Sequence, residues 1–102
     1  MKMFLISDNV DTRTGMRLAG IEGVVVHERE EVLSALNDAL ENHDIGIILL
    51  TEKLMDLVQD EVMGIKLNRD FPLIVEIPDR HGSRRDADAI MKYIREAIGL
   101  KI

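Results

Sequence analysis

The chain has 102 residues, of which 46% are hydrophobic, with no cysteine and a formal net charge of −6. This length supports one domain with one core, and the lack of cysteine excludes disulfides and thiolate metal sites. The acidic balance argues against nucleic-acid binding, which needs a basic surface, and is typical of a soluble cytoplasmic protein.

The first predicted element is a short buried strand from Met3 to Ile6. It runs into the polar turn Ser7-Asp8-Asn9, so this apolar segment is too short for a signal peptide or a membrane span. We expect no direct membrane insertion, and any membrane association would come through a partner. A short helix then begins at Asp8, Asn9 or Asp11 and ends at Gly20.

The segment Ile21 to Val26 predicts a second strand because it is rich in β-branched residues. From Glu28 the apolar residues recur at helical spacing, with acidic residues in the first turn, where the helix dipole favours negative charge. The predicted buried face of this helix consists of Val32, Leu33, Leu36, Ala39 and Leu40.

The stretch Asp44 to Glu52 contains the most apolar segment of the chain. Its residues 45–50 do not alternate between polar and apolar, which predicts a central strand buried on both faces, as in parallel sheets. Thr51 is placed to cap a helix running from about Glu52 to Met63, which Gly64 would end. A fourth strand follows between Phe71 and Pro78.

The fold class predicted from this order is α/β, with a small, open, mainly parallel four-stranded sheet and helices on both faces. The alternation is that of Rossmann and receiver folds, and a C-terminal amphipathic helix is added. We assign 1–78 to the core domain, 79–86 to a mobile loop and 87–102 to the C-terminal helix and tail. Either that helix packs back on the sheet, or it is available to a partner.

Ligands of open α/β sheets bind where parallel strands end, so any chemistry is expected in the turns after the strands. These turns offer Ser7, Asp8 and Asn9, then Thr51 and Glu52, then Glu76 and Asp79, and no set completes a catalytic site. A receiver-like phosphoacceptor would need an aspartate where Thr51 stands. We therefore predict no catalytic residue.

Neither a cofactor nor a metal site is predicted. Gly15, Gly20 and Gly23 do not open a helix after a strand, as a phosphate-binding loop requires. The three histidines, His27, His43 and His81, lack ligand spacing.

Four stretches together resemble the F subunit of the V-type and A-type rotary ATPases, in the short form of bacteria and archaea. They are Asp8 with Thr12–Gly20, then Asp44–Glu52, Pro72–Pro78 and Ile94–Gly99. They span nearly the whole chain in the family's order. Two departures are Ser7, where glycine commonly precedes the aspartate, and the basic segment 81–85.

The resemblance implies a non-catalytic central-stalk (rotor) subunit that binds the coiled-coil D subunit. Through the D subunit it would contact the catalytic A/B hexamer and the membrane-attached stalk base. It would couple ATP synthesis or hydrolysis to proton or sodium transport, on the cytoplasmic face of the cell membrane. The face buried on the D subunit would consist of Ile90, Met91, Ile94 and Ile98. The alternatives are a receiver-like phosphoacceptor and a small adaptor domain.

Overall fold

The computed structural model describes residues 1–78. In chain order its elements are β1 (Lys2–Ser7), α1 (Val10–Leu18), β2 (Glu22–Val25), α2 (Arg29–Glu41), β3 (Ile45–Thr51), α3 (Glu52–Leu57), α4 (Gln59–Asn68) and β4 (Leu73–Ile77). The predicted loop 79–86 and the predicted C-terminal helix 87–102 lie outside the described residues.

The four strands form one parallel sheet in the order β2-β1-β3-β4, which confirms the predicted α/β fold class. β3 is an interior strand, and each of its seven residues is buried, so the prediction of a strand covered on both faces is confirmed. From β1 the chain moves outward to β2 and then returns to the other side of β1 to form β3. The carboxyl ends of β1 and β3 therefore lie side by side at a topological switch point.

The core has two layers because successive side chains of a strand point to opposite faces. On one face, Ile6, Ile48 and Leu50 pack with α2, α3 and α4. On the other face, Leu5 and Leu49 pack with Met16 of α1. Helices thus cover both faces, as predicted, but within residues 1–78 three of them lie on one face and α1 alone on the other.

The predicted single helix from Glu52 to Met63 is wrong. The structure has two helices, separated at Val58, whose dihedral angles of φ −133° and ψ 27° are not helical. Val58 is completely buried, and Leu54 of α3 and Val62 of α4 belong to the same core. α3 contacts β3 and β4, whereas α4 contacts β4, so the break accompanies a change in the part of the sheet that each helix covers.

Gly64 does not end the helix, as the sequence had suggested, but lies within α4. The helix continues to Asn68, whose Nδ2 donates a 2.7 Å hydrogen bond back to the Gly64 carbonyl. The residues after Gly64 include good helix formers, so one glycine costs only about 1 kcal/mol and is tolerated.

The ends of α1 agree with the prediction. Asn9 is the N-cap, and its Oδ1 accepts a hydrogen bond of 3.1 Å from the backbone N–H of Thr12. Gly20 follows the helix with φ +88°, a conformation that favours glycine. None of the helices within residues 1–78 combines the length and the apolar character needed to cross a bilayer.

Candidate functional site

The candidate site is the edge of the sheet where β1 and β3 end. Asp8 follows β1 directly, and Thr51 is the last residue of β3. Because the two strands are neighbours, their turns meet at the switch point, where open α/β sheets bind ligands. Asp8 and Thr51 are 43 positions apart in the chain, and the sheet order brings them into contact.

Two hydrogen bonds join these turns. The Thr51 hydroxyl donates to Asp8 Oδ1 over 2.7 Å, and the Asp8 backbone N–H donates to Thr51 Oγ1 over a longer 3.4 Å. The Thr51 side chain is completely buried, while Asp8 is half-buried. We call this pair the Asp8–Thr51 clamp.

The predicted capping role of Thr51 is wrong. Thr51 stands at the N-cap position of α3, but its side chain makes no capping hydrogen bond. Its hydroxyl bonds instead to the Asp8 carboxylate, since a hydrogen bond to a charged acceptor is stronger than one between neutral groups. The residue therefore holds two strands together rather than starting a helix.

The other polar residues of the first turn are used within the turn itself. Ser7 Oγ accepts a 2.9 Å hydrogen bond from the Asn9 backbone N–H and lies 3.0 Å from the Asn9 carbonyl, to which it donates. Ser7 is fully buried, and Asn9 caps α1. Each of the polar residues predicted at this turn thus has a conformational role.

A shallow cavity of about 380 Å³ lies next to the clamp. It is lined by Asp8 and His27, by Lys53, and by the apolar residues Leu54 and Leu57. Among residues 1–78, no group of three or more histidine, cysteine or acidic side chains is arranged to hold a metal ion. Glu76, predicted at the end of the fourth strand, is exposed on β4 and pairs in register with Leu50.

The chemistry open to this arrangement is narrow. A receiver-like site needs a carboxylate at the end of β3, and the structure has the buried Thr51 hydroxyl there, engaged with Asp8. Buried in this way, the hydroxyl offers no access to an incoming phosphodonor. The geometry fits a structural clamp better than a reactive group.

The glycines near the start of the chain have backbone roles. Gly15 lies within α1, and Gly20 turns the chain after it. Gly23 lies in β2, where a Cβ atom would come within 2.7 Å of Leu5 Cβ and 2.8 Å of the Leu5 carbonyl oxygen. The close approach of β2 to β1 therefore requires glycine at this position.

The structure also reveals contacts that the sequence analysis did not identify. Glu31 Oε1 accepts hydrogen bonds from the backbone N–H groups of Glu28, at 3.0 Å, and His27, at 3.2 Å. These bonds lower the pKa of the Glu31 carboxyl below its ordinary value.

An ion pair between Arg29 and Glu61 joins α2 to α4. The spacing of Glu28 and Glu31 is that of a capping box, a sequence signal that could have revealed the hydrogen bonds of Glu31.

The residues predicted to bind a partner fall in the C-terminal segment of the sequence. Ile90, Met91, Ile94 and Ile98 lie outside the described residues, as does the loop that would position them. Their role stays a prediction.

Comparison with known proteins gives a consistent result over the whole chain. A family model described as "ATP synthase (F/14-kDa) subunit" matches residues 3–94. A protein of Thermococcus kodakarensis, named as the F subunit of an A-type ATP synthase, is 36% identical over 107 aligned residues, covering 100% of this chain and 98% of the relative. Proteins of the same name from Methanocaldococcus jannaschii and Pyrococcus furiosus are 35% and 34% identical, covering 100% of this chain and 99% and 98% of the relatives.

Proposed function

The chain belongs to the family of ATP synthase (F/14-kDa) subunits, and we propose that it is the F subunit, a non-catalytic part of the central stalk, of an A/V-type rotary ATPase. The observation that carries this proposal is the extent of the match. Relatives named as the F subunit of A-type ATP synthases align with all of the chain, through the four strands and into the C-terminal segment. The likeness therefore covers more than the common α/β core.

The partner that we propose is the coiled-coil D subunit, bound through Ile90, Met91, Ile94 and Ile98. These residues recur at helical spacing, while Lys92 and Glu96 fall on the opposite face of the predicted helix. Each apolar side chain that becomes fully buried contributes roughly 1.5–3 kcal/mol, before the cost of ordering the helix is subtracted. Such a stripe would contribute a large part of the contact between two rotor subunits.

The described residues supply the stiffness that a rotor subunit needs. β3 is buried on both faces, and the Asp8–Thr51 clamp holds its end against the end of β1. Packed aliphatic interiors have low compressibility, so they transmit force between surfaces with little deformation. This architecture supports a mechanical role without a reacting group of its own.

Through the D subunit the chain would act on the A/B hexamer and on the stalk base at the membrane. We place it on the cytoplasmic face of the membrane, held peripherally by the complex. In this role it couples ATP synthesis or hydrolysis to proton or sodium transport, while the nucleotide and the ion bind to other subunits. Its net charge of −6 is consistent with a protein partner rather than nucleic acid.

Co-purification tests the proposal directly. The tagged chain would be co-expressed with the coiled-coil D subunit of the same genome, and the amount of this partner retained after a high-salt wash would be measured. We expect Ile94→Glu to reduce retention at least tenfold, because it places a charge within the apolar face. Lys92→Glu introduces the same side chain on the opposite face and should retain the partner.

Both variants should keep the circular dichroism spectrum of the parent chain. Equal retention of the D subunit by the parent chain and by Ile94→Glu would contradict the proposed interface. If the parent chain itself retained none of it, the assignment to the central stalk would fail.

A further inference from the structure

The groove between α2 and the edge strand β2 is a second surface with the properties of a binding site. As formed by residues 1–78, it has a volume of about 600 Å³ and one open side. Its floor includes Phe4, Val24 and Ala35, all half-buried and packed at the margin of the larger core layer. Glu30, Glu31 and Asp38 of α2 form an acidic rim. We call it the acidic groove.

Within residues 1–78, the acidic groove exists because the helices on this face leave β2 partly uncovered. The main sheet contacts of α2 are with β1 and β3, whereas α3 contacts β3 and β4, and α4 contacts β4. Strands are about 4.8 Å apart and packed helices 8–10 Å apart, so one helix covers about two strands. Among the described residues, the apolar side of β2 is therefore only partly covered, although α1 contacts the same strand from the opposite face.

The charges of the acidic groove define what it would bind. Within residues 1–78, no lysine or arginine lines it, and the basic side chain near the rim is His27, which lies close to Glu31. Glu31 also accepts two backbone hydrogen bonds, which keep its carboxylate in a fixed position. An apolar floor beside negatively charged carboxylates complements a helix whose apolar stripe is flanked by lysine or arginine.

We propose that the acidic groove binds a basic amphipathic helix of another polypeptide, which completes the helical layer over β2. The incoming helix would lie alongside α2, with its apolar stripe on Val24 and Ala35 and its basic residues against Asp38 and Glu30. α2 has 13 residues and presents a side about 20 Å long, which matches about four turns of a partner.

The proposed occupant is another polypeptide rather than the segment 87–102 of the same chain, which follows β4 at the edge of the sheet opposite β2. The inference is independent of the proposed contact with the D subunit, since it uses residues 1–78 alone.

The experiment is a titration of the ¹⁵N-labelled full chain, followed by NMR. The probe is a synthetic helical peptide of about 14 residues, matching the length of α2, with leucine on one face and lysine on its flanks. A second peptide has glutamate in place of each lysine. We expect the basic peptide to cause saturable shifts at the amides of Val24, Ala35 and Asp38, and the acidic peptide to cause none there.

Asp38→Lys should weaken binding of the basic peptide at least tenfold. Asp70→Lys is the matched control, since it makes the same charge change in the exposed loop before β4, and it should change the affinity less than threefold. Equal weakening by the two variants would overturn the proposal, because it would indicate non-specific attraction to an acidic protein.

Three other results would also overturn it. Shifts confined to the backbone of β2 would indicate an added strand, and shifts in residues 87–102 would indicate displacement of the chain's own tail. Equal affinity for the basic and the acidic peptide would show that the charge of the peptide does not determine binding.

Discussion

Removal of the Thr51 hydroxyl tests whether the Asp8–Thr51 clamp stabilises the fold. Thr51→Val is the appropriate change because valine has nearly the same shape, so the completely buried position keeps its volume. The substitution removes the 2.7 Å hydrogen bond to Asp8 Oδ1 and the longer one from the Asp8 backbone N–H. The carboxylate then loses its partner from β3.

The expected loss of stability follows from the type of hydrogen bond. Hydrogen bonds to charged groups contribute roughly 1.5–3 kcal/mol. Asp8 is only half-buried, so water replaces part of the lost interaction, and we expect a value near the lower end, about 1.5 kcal/mol. With an unfolding entropy of about 2.1 cal/mol/K per residue, this lowers the melting temperature of a domain of this size by about 7 °C.

A double-mutant cycle measures the contact itself. Thermal unfolding would be followed for the parent chain, Thr51→Val, Asp8→Ala and the double variant. We expect a coupling free energy of about 1–1.5 kcal/mol, whereas effects that add within about 0.5 kcal/mol would refute the clamp. Thr51→Ser keeps the hydroxyl and should preserve most of the coupling with Asp8.

Glycine substitutions should act in opposite directions: Gly64→Ala should raise the free energy of unfolding by about 0.5–1 kcal/mol, because Gly64 is helical and an added Cβ meets nothing within 4 Å. Gly23→Ala should lower the free energy of unfolding by about 1–3 kcal/mol, because the added Cβ would overlap Leu5. Both variants would be measured by urea unfolding, and a change of the same sign and size in the two would contradict these contacts. Glu31→Gln should lower the melting temperature at pH 7 by weakening the cap of α2. Because the pKa of Glu31 is lowered in the folded chain, this difference should shrink as the pH falls through that lowered pKa, and a difference that stays constant into acid would contradict the role of the carboxylate.

The strands were predictable because their apolar segments are distinct. Residues 45–50 have no polar residue, and only a strand buried on both faces accommodates such a segment at that length. The helix α2 was predictable for a related reason, since its apolar residues keep helical spacing over three turns. The strands and α2 were predictable because each is determined mainly by residues close together in the sequence.

The break at Val58 could not be predicted in the same way. The sequence there has neither glycine nor proline, and Leu54, Met55, Val58 and Val62 also fit one continuous helix. The break arises because α3 and α4 pack against different parts of one sheet face, and this depends on the strand order. Gly64 was misinterpreted because one glycine is compatible with either the end or the interior of a helix.

The candidate site was predictable only in part. Asp8 and Thr51 were both identified at strand ends, yet their contact requires that β1 and β3 be neighbours. Local signals favoured a cap for Thr51, and the partner that it binds lies 43 residues away. The acidic groove was not predicted either, because it results from where α2 crosses the sheet.

The position of β1 inside the sheet has a consequence for the folding kinetics. β1 pairs with β2 and with β3, and the β1–β3 pairing closes a segment of about 40 residues that includes α1, β2 and α2. Parallel pairing across such a distance loses chain entropy before many contacts form, which raises the contact order and slows folding. We therefore expect the β1–β3 pairing, rather than the more local β1–β2 pairing, to limit the folding rate.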